Sequence, residues 1–133
     1  MRRPRKRTPR LDHLSLAVTD CRRSSSWYVD NLGFAVEFEA AQGGRESLGV
    51  IALQDEGGFT VFLEQISGPI FSGQAAYTIK VEDVDALWAR LSSAGIAFLS
   101  SPRKQFWGYG AVLADPDGHL LYLYDEESMR RKG

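Results

Sequence analysis

Apolar and polar positions alternate along most of this chain, and twice the alternation gives way to a helical period. Leu11 to Val18 puts Leu14, Leu16 and Val18 on one face and His13, Ser15 and Ala17 on the other, as a half-buried strand does. Thr19 or Asp20 then caps a helix over Cys21 to Leu32, in which Ser24, Tyr28 and Leu32 fall four apart and Gly33 terminates. Phe34 to Glu39 is a second strand, and Ala40 to Ser47, with Gly43 and Gly44, is expected to be a flexible loop. Leu48 to Gln54 and Phe59 to Gln65 are two further strands joined at Asp55-Glu56-Gly57-Gly58. The first half therefore reads β-α-β-β-β.

Beyond a linker over residues 66–75 the same order begins again. Ala76 to Val81 is a strand, and Asp83 caps a helix whose stripe is Val84, Leu87, Trp88 and Leu91. Trp88 is expected in the core with that stripe, while Trp27 fits either the core or a ligand wall. Gly95 ends the helix, and Ile96 to Ser100 is the next strand. Ala111 to Ala114 and Leu120 to Tyr124 then form a hairpin about Asp115-Pro116-Asp117-Gly118. Leu121 and Leu123 share one of its faces, and Leu120, Tyr122 and Tyr124 the other. Val18 and Val81 are 63 residues apart, as are Asp20 and Asp83, and the turn glycines Gly58 and Gly118 are 60 apart. That period suits a duplicated supersecondary block. The expectation is an α+β domain of two tandem β-α-β-β-β modules, residues 11–65 and 76–125, forming a cleft between curved sheets, with a tail over 126–133.

Charge divides the chain unevenly. Six of the first ten residues are basic, leaving ten basic against 17 acidic residues in the rest. Residues 1–10, with two prolines and no apolar period, are expected to be a disordered arm, and nucleic acid is expected only as a weak contact of that arm. The acidic remainder favours cations over phosphorylated partners. Cys21, the sole cysteine, excludes an intrachain disulfide and a cysteine-built zinc site within one chain, and is read as packing. No apolar run reaches the length of a membrane span and none follows the basic N-terminus, so the expectation is a cytoplasmic protein with no membrane partner.

Four segments, His13-Leu-Ser-Leu-Ala-Val18, Trp27-Tyr-Val-Asp-Asn-Leu-Gly-Phe34, Val81-Glu-Asp-Val-Asp-Ala-Leu87 and Asp115-Pro-Asp-Gly118, resemble the vicinal oxygen chelate superfamily over residues 11–125. That superfamily groups glyoxalase I, extradiol dioxygenases, fosfomycin-modifying enzymes and bleomycin-resistance proteins. The resemblance implies the paired-module fold and, for small members, a homodimer whose sites draw on both chains. Its enzymes hold a divalent metal with His, Glu or Gln at matching module positions. Here those positions carry His13, Ala76 and Tyr122, with the fourth falling at Phe62 or Glu64 according to the residue from which it is counted. Only His13 and Glu64 remain as metal candidates, short of the three ligands a catalytic site keeps, so no cofactor is expected. His13 is read instead as an imidazole hydrogen-bonded inside the cleft.

The antibiotic-binding branch combines this fold with no metal, which implies metal-independent binding of an amphipathic, cationic or aromatic small molecule such as an antibiotic. Candidate ligand-binding residues are His13, Phe62, Glu64, Tyr122 and Tyr124, with Trp107 and Tyr109 on a mobile aromatic loop, Gln105-Phe-Trp-Gly-Tyr109. Ligand choice is expected to lie in loops 40–47 and 101–110. The alternative is an enzyme, either a metal-dependent lyase or dioxygenase or a metal-free isomerase, with His13 and Glu64 as candidate catalytic residues.

Overall fold

The computed structural model describes residues 9, 11–41, 47–73 and 75–133. Most of the expected basic arm and the centre of the expected glycine loop lie outside these residues. Among the described residues the first module is β1 (His13–Val18), α1 (Cys21–Leu32), β2 (Ala35–Ala40), β3 (Ser47–Gln54) and β4 (Thr60–Ile66). The second is β5 (Ala76–Lys80), α2 (Val84–Ser93), β6 (Phe98–Gln105), β7 (Gly108–Ala114) and β8 (Leu120–Tyr124), followed by α3 (Glu126–Lys132). Each module forms one mixed sheet, in the orders β1-β4-β3-β2 and β5-β8-β7-β6, with the first pair of each parallel. The duplication read from spacing is therefore a duplication of topology.

Alternation decides which face each sheet buries. Val18, Ile51, Leu53, Val61 and Leu63 turn toward α1, and Ala111, Leu113, Leu121 and Leu123 join Val84 and Leu91 of α2, in one core that spans both modules. Ser24 and Ser25 are buried on α1, where small side chains let the helix lie close to its sheet. Asp20 caps α1 through the N–H groups of Arg22 and Arg23, Asp83 caps α2 through Ala86, and Gly33 closes α1 at φ 76°.

The turn duplicates down to its hydrogen bonds. Gly58 N–H reaches the Asp55 carbonyl at 3.1 Å, and Gly118 N–H the Asp115 carbonyl at 3.0 Å. Asp55 Oδ1 accepts from Phe59 N–H, and Asp115 Oδ1 from Asp117 and His119.

Several expectations need correction. The first strand begins at His13, not Leu11. The strand expected to stop at Ser100 runs on to Gln105 as an edge strand, with register shifts that accommodate Pro102. Residues 101–105 are therefore sheet, and the expected mobile aromatic loop shrinks to Phe106 and Trp107 between β6 and β7. The expected tail over 126–133 carries α3, capped by Asp125. Trp88 is 37% exposed, because Val84 and Leu91 already fill the buried stripe of α2.

Candidate functional site

Each sheet turns one face away from its helix, and the aromatic candidates gather there. On the first sheet, the imidazole of His13 stacks on Phe62 at 4.3 Å between centroids and 25° between planes, and Phe38 meets Phe62 edge-on at 5.6 Å. Strand register puts Glu64 on this same face, beside Ala17 of β1. The side chain of His13 is 38% exposed, its Nδ1 lies 3.0 Å from Asp12 Oδ2, and the residue borders the larger cavity between the modules.

On the second sheet, Trp107 lies almost parallel to Tyr122, 5.0 Å between centroids and 7° between planes. Gly110 makes room for this. A Cβ there would come within 2.5 Å of the indole and 2.1 Å of the Leu123 carbonyl oxygen, so only hydrogen fits beneath the ring. Trp107 is half-buried, as are Tyr122 and Tyr124 beside it.

Tyr109 does not belong to this group. Alternation sends it to the opposite side, where its hydroxyl donates to Asp85 at 2.9 Å and Lys132 lies 4.9 Å over its ring. Its backbone N–H reaches the sulfur of Met129 at 3.2 Å, so α2 and α3 brace the back of the strand whose front carries Trp107. Tyr109 was expected on a mobile loop, and the structure places it within β7 instead.

A second cluster escaped sequence reasoning altogether. The hydroxyl of Tyr28 on α1 meets that of Tyr77 on β5 and donates to Asp115 Oδ2 at 2.7 Å. Asp117 accepts from the N–H and hydroxyl of Thr19, and His119 Nε2 lies 2.7 Å from the carbonyl of Ala17. These bonds join the modules through the β7–β8 turn. Burial pushes the Tyr28 phenol far above the ordinary range, and Tyr77 and Asp115 push it the same way. Burial also raises Tyr77 strongly, although its bond to Tyr28 acts against this. Burial likewise pushes the Cys21 thiol up, with Asp20 adding to the effect, in keeping with packing.

Two cavities border the junction. The larger, about 1420 Å³, lies between the modules and is lined by His13, Phe34, Phe59, Tyr77, Ile79 and Leu87 among others. The smaller, about 370 Å³, lies between β1 and β5 and reaches His119. Of the candidate ligand residues, only His13 borders either one.

The sequence profile of the Glyoxalase/Bleomycin resistance protein/Dioxygenase superfamily matches residues 10–123. The chain belongs to this superfamily. It is 29% identical over 119 residues to the glutathione transferase FosA of Serratia marcescens, covering 86% of this chain and 79% of that protein. The fold matches a glyoxylase/bleomycin resistance protein/dioxygenase domain from Frankia sp. EAN1pec at TM-score 0.72 and 24% identity, covering 88% of this chain and 97% of that one. It also matches TnmS3, an antibiotic binding protein from Streptomyces sp. CB03234, at TM-score 0.71 and 24% identity, over 91% and 98%.

The metal positions implied by membership in this superfamily are poorly furnished here. His13 is exposed and stacked on Phe62, while Ala76 and Tyr122 stand where further ligands belong. Among the described residues no three His, Cys, Asp or Glu side chains come together as a ligand group. Ala76 offers no ligand and the Tyr122 phenol is a poor one for a divalent ion, so His13 and Glu64 are the residues of these positions that would hold one. Among the described residues no helix is long and apolar enough to cross a membrane.

Proposed function

We propose that this superfamily member is a metal-independent, homodimeric protein that binds a small amphipathic molecule with a planar ring. The observation that carries this reading is the Trp107–Tyr122 stack on a sheet face turned away from the core. A half-exposed indole, seated over a glycine and backed by a parallel phenol, presents a rigid plane with little side-chain entropy left to lose. The aromatic patch of His13, Phe62 and Phe38 on the other sheet gives a second such surface, and a second copy of the chain can bring unlike faces together over one ligand. The antibiotic-binding relative TnmS3 shares the fold and supports binding as the function.

Titration of tryptophan fluorescence with planar aromatic compounds, in the presence of EDTA, tests the reading. Native protein should show saturable quenching, and Trp107→Ala should weaken binding by about 1–3 kcal/mol. Unchanged affinity in Trp107→Ala would remove the stack from the site.

Likeness to a glutathione transferase favours a second reading, an enzyme in which His13 and Glu64 move protons on the first sheet's face. Turnover of a bound compound that His13→Ala abolishes, with affinity unchanged, would establish it in place of the first.

A further inference from the structure

The face of Tyr122 has a charge pattern opposite to that of the chain around it. Strand register places Lys80 beside Tyr124, and Arg103 opposite Gly110, on the side that Tyr122 occupies. The sheet positions of that side, Ala76, Thr78, Ser100, Gln105, Val112, Ala114 and Leu120 included, carry no carboxylate. Lys80 already has a partner, Glu126 at 3.1 Å. Arg103 is exposed, and among the described residues no carboxylate oxygen lies within 4.0 Å of its guanidinium. Gly110, its neighbour across the strand pair, is the residue over which the indole of Trp107 lies.

A guanidinium on the strand position opposite Gly110, the residue over which the indole lies, gives this face two kinds of recognition at once. The plane accepts a ring, and the planar fork of the guanidinium accepts two oxygens of one anionic group. We propose that this face takes an aromatic carboxylate, its ring against Trp107 and its carboxylate on Arg103. This inference rests on the stacking role of Trp107 given above and goes beyond it in fixing the ligand's charge, which reverses the cation expected from the acidic composition. The acidic remainder of the chain repels anions at long range, so the selectivity has to be local. The fork and the ring act on one ligand at contact distance, well inside the screening length of about 8–10 Å.

Three probes of one shape separate the possibilities: naphthalene-2-carboxylate, its neutral carboxamide, and naphthalen-2-ylmethylammonium. Each is titrated into native protein, Trp107→Phe, Arg103→Gln and Arg103→Lys, following tryptophan fluorescence and calorimetric heat. Native protein should prefer the carboxylate to the carboxamide by about tenfold or more, the effect of one hydrogen-bonded charge. Arg103→Gln should erase that preference by weakening the carboxylate far more than the carboxamide. Arg103→Lys should restore part of it, since it keeps the charge and loses the fork. Circular dichroism of the variants checks that this exposed position leaves the fold intact. Equal binding of carboxylate and carboxamide, or preference for the ammonium probe, overturns the inference and leaves the stacking site standing. Absence of binding by all three probes overturns both.

Discussion

The hydroxyl of Tyr28 donates to the carboxyl of Asp115 at 2.7 Å across 87 residues of chain. One residue belongs to the helix of the first module and the other to the final turn of the second, so this bond and its neighbours join the modules. Tyr28→Phe removes it and leaves a buried carboxyl oxygen and the Tyr77 hydroxyl short of a partner. The expected loss is about 2 kcal/mol of unfolding free energy, read as a lower urea midpoint.

The same cluster sets an alkaline limit. Both phenols have pKa values raised by burial in the folded chain, so the fold keeps protons that the unfolded chain gives up near pH 10. Their stabilising contribution is complete below that pH and is lost as pH rises above it. Stability of the native chain should therefore fall steeply from about pH 10, and more gently in Tyr28→Phe, in which one of the two groups is gone. Parallel slopes in the two proteins would mean that the phenols do not govern alkaline unfolding.

Asp125 ties two helices to the end of β8. One carboxyl oxygen accepts from Val84 N–H at the start of α2 at 2.7 Å, and the other from Ser128 N–H in α3 at 2.6 Å. Burial alone would raise its pKa, but these N–H groups outweigh burial and hold it below the ordinary carboxylate value. Asp125→Ala should cost about 2 kcal/mol at neutral pH, the sum of two modest caps. A depressed pKa contributes stability above the unfolded value, near 4, and loses it as pH falls through the folded one. The gap between native and variant in thermal unfolding should accordingly close on acidification, and a gap that persists at pH 2 would contradict the assignment.

Gly110 links the sheet to the site. Gly110→Ala forces a methyl against the Leu123 carbonyl and into the space of the Trp107 ring. Overpacking of this kind costs about 1–3 kcal/mol. The indole should be displaced as well, visible as a red-shifted emission that native protein lacks. Unchanged stability and emission would show that the ring does not depend on that gap.

How much of this was legible in the sequence follows from the range of each interaction. Leu14, Leu16, Leu121 and Leu123 declare their strands because alternation is local, and Asp20, Asp83 and Gly33 declare helix ends for the same reason. The 63-residue repeat of Val18 and Val81 exposed the duplication without any knowledge of contacts. Pro102 hid the length of β6, because a proline in mid-run reads as loop unless the strand is known to lie at an edge. That misreading left Tyr109 on a loop, although it lies in β7 and turns toward α2 and α3. The link from Tyr28 to Asp115 left no local trace, since neither residue's neighbours depend on the other. The degree of exposure of His13 at the cavity rim left no local trace either, since it depends on the segments packed around the start of β1.

Binding on the Trp107 face without a metal can be tested by calorimetry. Protein exhaustively dialysed against EDTA and passed into chelator-free buffer is titrated calorimetrically with naphthalene-2-carboxylate. The titration is repeated after adding manganese or zinc at one equivalent per chain, and the ligand is recovered for mass analysis. The affinity and stoichiometry should be the same with and without metal, and the ligand should be recovered unchanged. Binding that appears only after metal is added, or recovery of a chemically altered ligand, would contradict metal-independent binding without turnover.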